Sequence, residues 1–224
     1  MIKNISNLGD AALYCDFGNK VNKSINSQVI KYFKTIKEKK LEGINNLTPS
    51  YNKLIISYDL RKTNFKKVKN YVENIDAEDS QNINSKKLEI PVCCHENFSM
   101  DIGRLEEILK LSREKILENF LNQEYFCYMT GFIAGMPFLG DLDENMRAQR
   151  LETPRVKVPK GSVAVTEQFA NIYTFESPGG WNVLGNTPLN VFDSSNEEKP
   201  NLINPGDTVI FKEITLDQYN NFNE

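Results

Sequence analysis

The sequence predicts an α+β fold in two parts, an α/β sandwich followed by a small β barrel or sandwich. Three observations predict it. Before residue 90, two stretches with apolar residues at helical spacing alternate with short β-prone runs. After Leu121 the helical period gives way to short strands between turn residues. Glycine and proline concentrate between Gly131 and Asp193, where most of them cannot lie inside long helices.

The elements follow in order. Ala11 to Phe17 reads as a first strand, stopped by Gly18-Asn19. Ser24 is expected to cap a helix with Ile25, Val29, Phe33 and Ile36 on one face, ended by Gly43. Ile44–Leu47 and Leu54–Tyr58 are two short strands. Thr63 is expected to cap a second helix with Phe65, Val68, Val72 and Ile75 inward, followed by a polar loop over 77–85. Lys87 to Cys94 returns as a strand. The order is βαββαβ, the split-βαβ or ferredoxin-like pattern, and it makes residues 1–90 the first domain.

The second domain, 91–224, opens with two helices. Asp101 is expected to cap one that buries Ile102, Leu105, Ile108 and Leu109. Ser112 is expected to cap the other, with Ile116, Leu117, Phe120 and Leu121 inward. Strands are then expected at Tyr125–Phe132, Val163–Thr166, Asn171–Phe175, Asn190–Phe192 and Val209–Phe211.

The chain has 224 residues and a formal net charge of −3, which gives no sign of a nucleic-acid or membrane surface. The basic runs Lys31–Lys40 and Arg61–Lys69 read as solvated helix faces. Met1-Ile2-Lys3-Asn4 leads into no apolar signal core, and no run is long enough to span a bilayer. Cys15, Cys93, Cys94 and Cys127 read as buried, reduced thiols of a cytoplasmic protein. Cys93-Cys94-His95 does not predict a metal site, because adjacent strand residues face opposite ways and no second cluster completes a tetrahedron.

The chemistry is expected on the loops of the second domain. Arg147, Arg150, Arg155, Lys157 and Lys160 form a basic constellation, which is either an anion receiver or a surface salt-bridge network. The loop Gly135, Met136, Pro137, Phe138, Leu139, Gly140 can offer backbone amides and an aromatic wall, or simply close the barrel. Ser177-Pro178-Gly179-Gly180-Trp181 carries the same ambiguity between ligand wall and core. His95 reads as a polar residue at a strand end, and Ser162 has no evident base. No Gly-x-x-x-x-Gly-Lys-Ser/Thr loop is present.

Several of these stretches carry a resemblance. Leu8-Gly9-Asp10-Ala11-Ala12-Leu13, Gly131 to Gly140, Thr153-Pro154-Arg155, Val158-Pro159-Lys160-Gly161-Ser162-Val163 and Ser177 to Trp181 resemble one long, ordered family pattern. The family contains the B component of bacterial 5-oxoprolinase, the first component of allophanate hydrolase, part of urea carboxylase and an inhibitor of a sporulation histidine kinase. The resemblance implies a cyclophilin-like barrel and an ATP-dependent opening of 5-oxoproline to glutamate. It implies work beside a companion carboxyltransferase-like subunit, the C component of such an enzyme, and beside a larger subunit, its A component. ATP would be shared among these partners. Its alternatives are inhibition of a histidine kinase and a place in an allophanate or urea-amide hydrolase. It points to Arg155 and Arg150 as catalytic groups. As substrate-binding it suggests Gly135 to Gly140, Gln168, Pro178, Gly179, Gly180 and Trp181. The chain departs from the pattern at Ala134, Met136, Gln149, Leu151, Ser99-Met100 and Phe120, and Phe169-Ala170-Asn171 stands where the family has Gln-Thr-Gly.

Overall fold

The computed structural model describes residues 2–76 and 85–222, in two compact units, Met1–Ser85 and Lys86–Glu224. All of the loop expected over 77–85 except Ser85 lies outside the described residues.

The first unit is a four-stranded antiparallel sheet with two helices. Its elements are β1 (Asn4–Asn7), β2 (Ala12–Asp16), α1 (Lys23–Lys39), β3 (Ile44–Pro49), β4 (Lys53–Tyr58) and α2 (Phe65–Asn74). The sheet order is β1-β2-β4-β3. Alternate residues of β2 and β4, Leu13, Cys15, Leu54, Ile56 and Tyr58, meet Val29 and Ile36 of α1 and Val68 and Val72 of α2. The two helices therefore bury the faces that their spacing predicts. Their caps differ from expectation. Asn22, not Ser24, accepts from Ile25 N, and Asn64, not Thr63, accepts from Lys67 N. An asparagine just before the first turn caps as well as a hydroxyl does. Lys40 in the left-handed region ends α1, and Gly43, φ 87°, serves the following turn.

The expected βαββαβ order is corrected at its last strand. β5 (Lys87–Val92) does not return to the first sheet. It runs parallel to β13 (Thr208–Glu213) in the second unit, and β1 occupies the place beside β2 instead. Alternation of residues marks a strand but does not say which edge it joins.

The second unit is a nearly closed barrel. After α3 (Ile102–Leu109) and α4 (Arg113–Leu121) come β6 (Tyr125–Thr130), β7 (Pro137–Gly140), β8 (Arg155–Val158), β9 (Ser162–Thr166), β10 (Phe169–Ile172), β11 (Ser177–Gly179) and β12 (Asn182–Asn186). The seven-stranded sheet runs β12-β9-β10-β7-β6-β13-β5. Its two ends meet where Cys93 and Asn186 exchange backbone hydrogen bonds of 2.8 and 3.0 Å. A short helix, α5 (Leu216–Asn220), follows the last strand. The expected strand at Asn190–Phe192 reduces to a single bridge between Phe192 and Asn201.

Inside the barrel, Ile90, Val92, Cys127, Leu139, Val163, Val165, Ile172 and Leu184 pack with Leu105, Ile116 and Leu117 of the two helices. Phe120 stacks on Phe211 at 4.8 Å, and both rings meet Tyr125. Tyr125 is fully buried, and its hydroxyl donates to Phe120 O at 2.8 Å, which satisfies the one polar side-chain atom of that cluster. All four cysteines are free and buried; burial pushes the Cys15 and Cys94 thiols up to about 12.

Candidate functional site

β8 and β11 form a separate two-stranded ribbon, which does not join the barrel sheet. Val158 of the ribbon packs with Met136, Ala164, Tyr173 and Val183; Ala164 and Val183 alternate with the inward residues of β9 and β12. The ribbon thus covers the outer face of the barrel. Between the two lies an open cavity of about 410 Å³.

Its floor is Met136, Phe138 and Tyr173, and its walls are Pro154, Pro178, Gly179, Gly180, Trp181 and the exposed Phe132. Phe138 meets Trp181 edge to face at 5.6 Å. Arg150 stands at the rim; Leu151 N donates to Gly180 O at 2.7 Å and holds that segment against the Trp181 turn. Thr174 Oγ1 donates to Ala134 O at 2.7 Å and fixes the loop that carries Phe132. Gly179 has to be glycine here, since a Cβ would come within 2.1 Å of the Tyr173 hydroxyl. Burial raises the Tyr173 pKa, partly offset by the Asn171 side chain and the Trp181 backbone N–H.

Beneath the ribbon sits a largely buried ion pair. Arg155 Nη2 lies 2.5 Å from Asp101 Oδ1, and Asp101 Oδ2 accepts from Val183 N at 2.7 Å. Asp101 precedes α3 as expected but makes no capping bond, because its carboxylate is committed to Arg155 and Val183. Arg104 donates to Asn182 Oδ1, whose amide donates to Gln149 O and Val165 O.

The expected site residues therefore separate. Arg150, Met136, Phe138, Pro178, Gly179, Gly180 and Trp181 come together around the cavity. Arg155 is paired with Asp101 and does not line it. The remaining cations of the basic run are occupied elsewhere: Lys157 by Glu176, Lys160 by Asn190, and Arg147 by Leu142 O. Of those five cations only Arg150 has no side-chain partner among the described residues. Pro137 and Leu139 are buried, Leu139 inside the barrel. Gly135, φ 71°, lies against the Phe192 ring, Gly140 against Tyr128, and Gln168 O accepts from Leu142 N. None of these five lines the cavity. His95 lies past the end of β5, its Nδ1 accepting from Asn97 N. Among the described residues no group of three or more His, Cys, Asp or Glu could hold a metal ion, and no helix is long and apolar enough to cross a membrane.

Sequence reasoning missed Tyr173, Phe132 and Pro154 as cavity residues. Each lies in or within a few residues of a motif, but nothing in the one-dimensional pattern aims its side chain at the cavity.

Comparison with known proteins adds four findings. The model of the family described as carboxyltransferase domain, subdomain C and D, matches residues 3–203. The B component of 5-oxoprolinase from Bacillus subtilis is 33% identical over 98% of this chain and 96% of its own length. The crystal structure of TTHA0988 superposes with a TM-score of 0.82 at 29% identity, over 91% of this chain; the chain spans 40% of that protein's length. The urea amidolyase of K. lactis shares the fold, with a TM-score of 0.76 at 17% identity, over 96% of this chain and 15% of that one.

Proposed function

This chain belongs to the family of carboxyltransferase domains, subdomain C and D, and on that premise we propose that it is the B component of a 5-oxoprolinase. In this reading it binds the small cyclic substrate while companion subunits complete the reaction that opens the ring to glutamate. The near-full-length similarity to the B. subtilis protein supports this reading over a urea-derived amide, for which the similarity is lower. We read the second unit as a cyclophilin-like barrel. The first is a ferredoxin-like variant in which β1 stands in the place of the usual fourth strand.

The observation that carries the reading is the cavity with one uncommitted cation. 5-Oxoproline is a five-membered lactam bearing a carboxylate. Arg150 offers its guanidinium fork to that carboxylate. Phe138, Trp181 and Phe132 offer apolar surface to the ring, and binding there excludes water from both. Arg155 pairs with Asp101 and so helps seat the ribbon on the barrel, a positioning role rather than contact with the substrate.

A nucleotide does not fit this cavity. A triphosphate needs a run of backbone amides and several cations, and the walls supply one arginine and mostly apolar groups. We therefore assign ATP, and the phosphoryl transfer that activates the lactam oxygen, to the companion subunits. This chain's residues bind and orient the ring.

Calorimetric titration of the purified chain with 5-oxoproline tests the reading. Binding that weakens about tenfold or more in Arg150→Ala is expected, the loss of one charge-assisted contact. No glutamate is expected from the chain alone with ATP, and release is expected once the carboxyltransferase-like companion and the larger component are added. Absence of 5-oxoproline binding both alone and in that mixture would refute the assignment.

A further inference from the structure

One buried side chain on the outer face of the barrel has no role in the packing described so far. Asn171, in β10, is fully buried, and neither its amide nitrogen nor its carbonyl oxygen has a hydrogen-bond partner. The amide does act on the nearby Tyr173 hydroxyl, lowering its pKa, but the contact falls short of a full hydrogen bond and leaves the Asn171 carbonyl oxygen with no donor. Other buried asparagines of this unit are satisfied. Asn182 bonds Gln149 O, Val165 O and Arg104, and Asn186 bonds Lys160 O and the Tyr219 hydroxyl. An unpaired buried carboxamide costs more than an apolar side chain of the same shape would, so the fold alone gives no reason for it.

Its position gives one. Asn171 is the cross-strand partner of Phe138 on one side and Ala164 on the other, so the three side chains share the outer face. Tyr173, two residues on, belongs to the same outer cluster as Ala164. Phe138 and Tyr173 are floor residues of the cavity, and Ala164 is small enough to leave the amide uncrowded. The carboxamide thus lies directly under the floor, beside two of its aromatic residues.

We propose that Asn171 recognises the ring amide of the substrate, an inference that rests on the lactam-binding role of the cavity. A lactam in a five-membered ring is held cis, so its C=O and N–H point to the same side. A carboxamide is the matching partner: Asn171 Nδ2–H donates to the lactam oxygen, and the lactam N–H donates to Asn171 Oδ1. Arg150 selects for the carboxylate, and Asn171 selects for the amide. Phe138, half-buried and the cross-strand partner of Asn171, turns outward in this proposal as the ring enters.

The test uses the full chain and Trp181, its only tryptophan and a wall of the cavity, as the fluorescent reporter. The probes are 5-oxoproline and cyclopentanecarboxylate, which keeps the ring size and carboxylate but has no amide. The wild type is expected to prefer 5-oxoproline by about tenfold, the worth of two neutral hydrogen bonds. Asn171→Leu should reduce that preference to near one, leave cyclopentanecarboxylate binding unchanged, and melt no lower than wild type. Asn171→Ala, which removes both donor and acceptor and adds no bulk, should also lose the preference, and it decides the matter if the leucine variant does not fold. A wild-type preference near one, or a preference that survives in either variant, overturns the proposal. If both probes then still bind in an Arg150-dependent way, the cavity reading stands without it. If neither probe binds the wild type, the cavity reading itself fails.

Discussion

The two faces of the barrel sheet are built from the same strands and solve different problems. The inner face takes Val163 and Val165 of β9, Ala170 and Ile172 of β10 and Leu184 of β12 into one continuous apolar core. The outer face takes the alternate residues: Ala164, Asn171 and Val183, with Tyr173 just beyond. There the apolar cluster is small, and buried polar groups accompany it: Asn171, and Asp101 in its pair with Arg155. A closed core excludes water from all sides and tolerates no unpaired polar atom without cost. A ribbon laid over the outside of a barrel leaves an open margin, and that margin is where polar groups and a cavity can persist. Apolar packing is concentrated on one face, and the open cavity lies on the other.

That contrast can be broken by mutation. The largest effect is expected inside: Phe120→Ala removes the ring stacked on Phe211 and Tyr125 and should cost about 3–5 kcal/mol. Denaturant unfolding followed by Trp181 fluorescence measures it, because the reporter lies in the same unit. On the outer face, Asp101→Ala strands Arg155 and the Val183 N–H, and should cost about 3 kcal/mol. Combining it with Arg155→Met should recover part of that loss. A double variant no better than the single would mean that the pair contributes little to the outer face. Gly179→Ala pushes a methyl group onto the Tyr173 hydroxyl and should cost about 1–3 kcal/mol, with Tyr173→Phe relieving it. Arg150→Ala should change stability by no more than about 0.5 kcal/mol, whatever it does to ligand binding; a larger loss would make Arg150 part of the scaffold.

A similarly small effect is expected outside the barrel. The Lys53 ammonium, 2.5 Å from Asp16, holds that carboxyl below its usual range. The folded value is depressed, so the stabilisation is present above the unfolded pKa of about 3.9 and fades as pH falls through the folded value. Asp16→Asn should therefore cost about 0.5 kcal/mol at neutral pH and nothing in strong acid. Circular dichroism melts at the two pH values check the sign.

Much of this was legible in the residues. The helical faces of α1 and α2, the strands β2, β4 and β9 and the switch to β structure after α4 all follow from periodicity and breakers, because burial on one side forces that spacing. The strands β8, β11 and β12 were not legible; they are short, and β11 and β12 are rich in glycine, proline or asparagine, so their pairing comes from neighbours and not from propensity. Of the site, the Ser177–Trp181 turn and the pair Arg150 and Arg155 stood out in the sequence, while Tyr173, Phe132 and Asn171 did not.

The sequence by itself determined which residues are apolar, where the chain must turn, and to which family it belongs. It could not decide between Arg150 and Arg155, because the two are alike in one dimension. Only the tertiary structure did, by bringing Asp101, 54 residues away, onto Arg155 and leaving Arg150 open. In the same way Asp101 reads as a helix cap until Val183, 82 residues on, claims its second oxygen. Periodicity is set by local geometry and is written along the chain. The partner of a charge or the edge a strand joins is set by long-range contacts, and these exist only once the chain has closed.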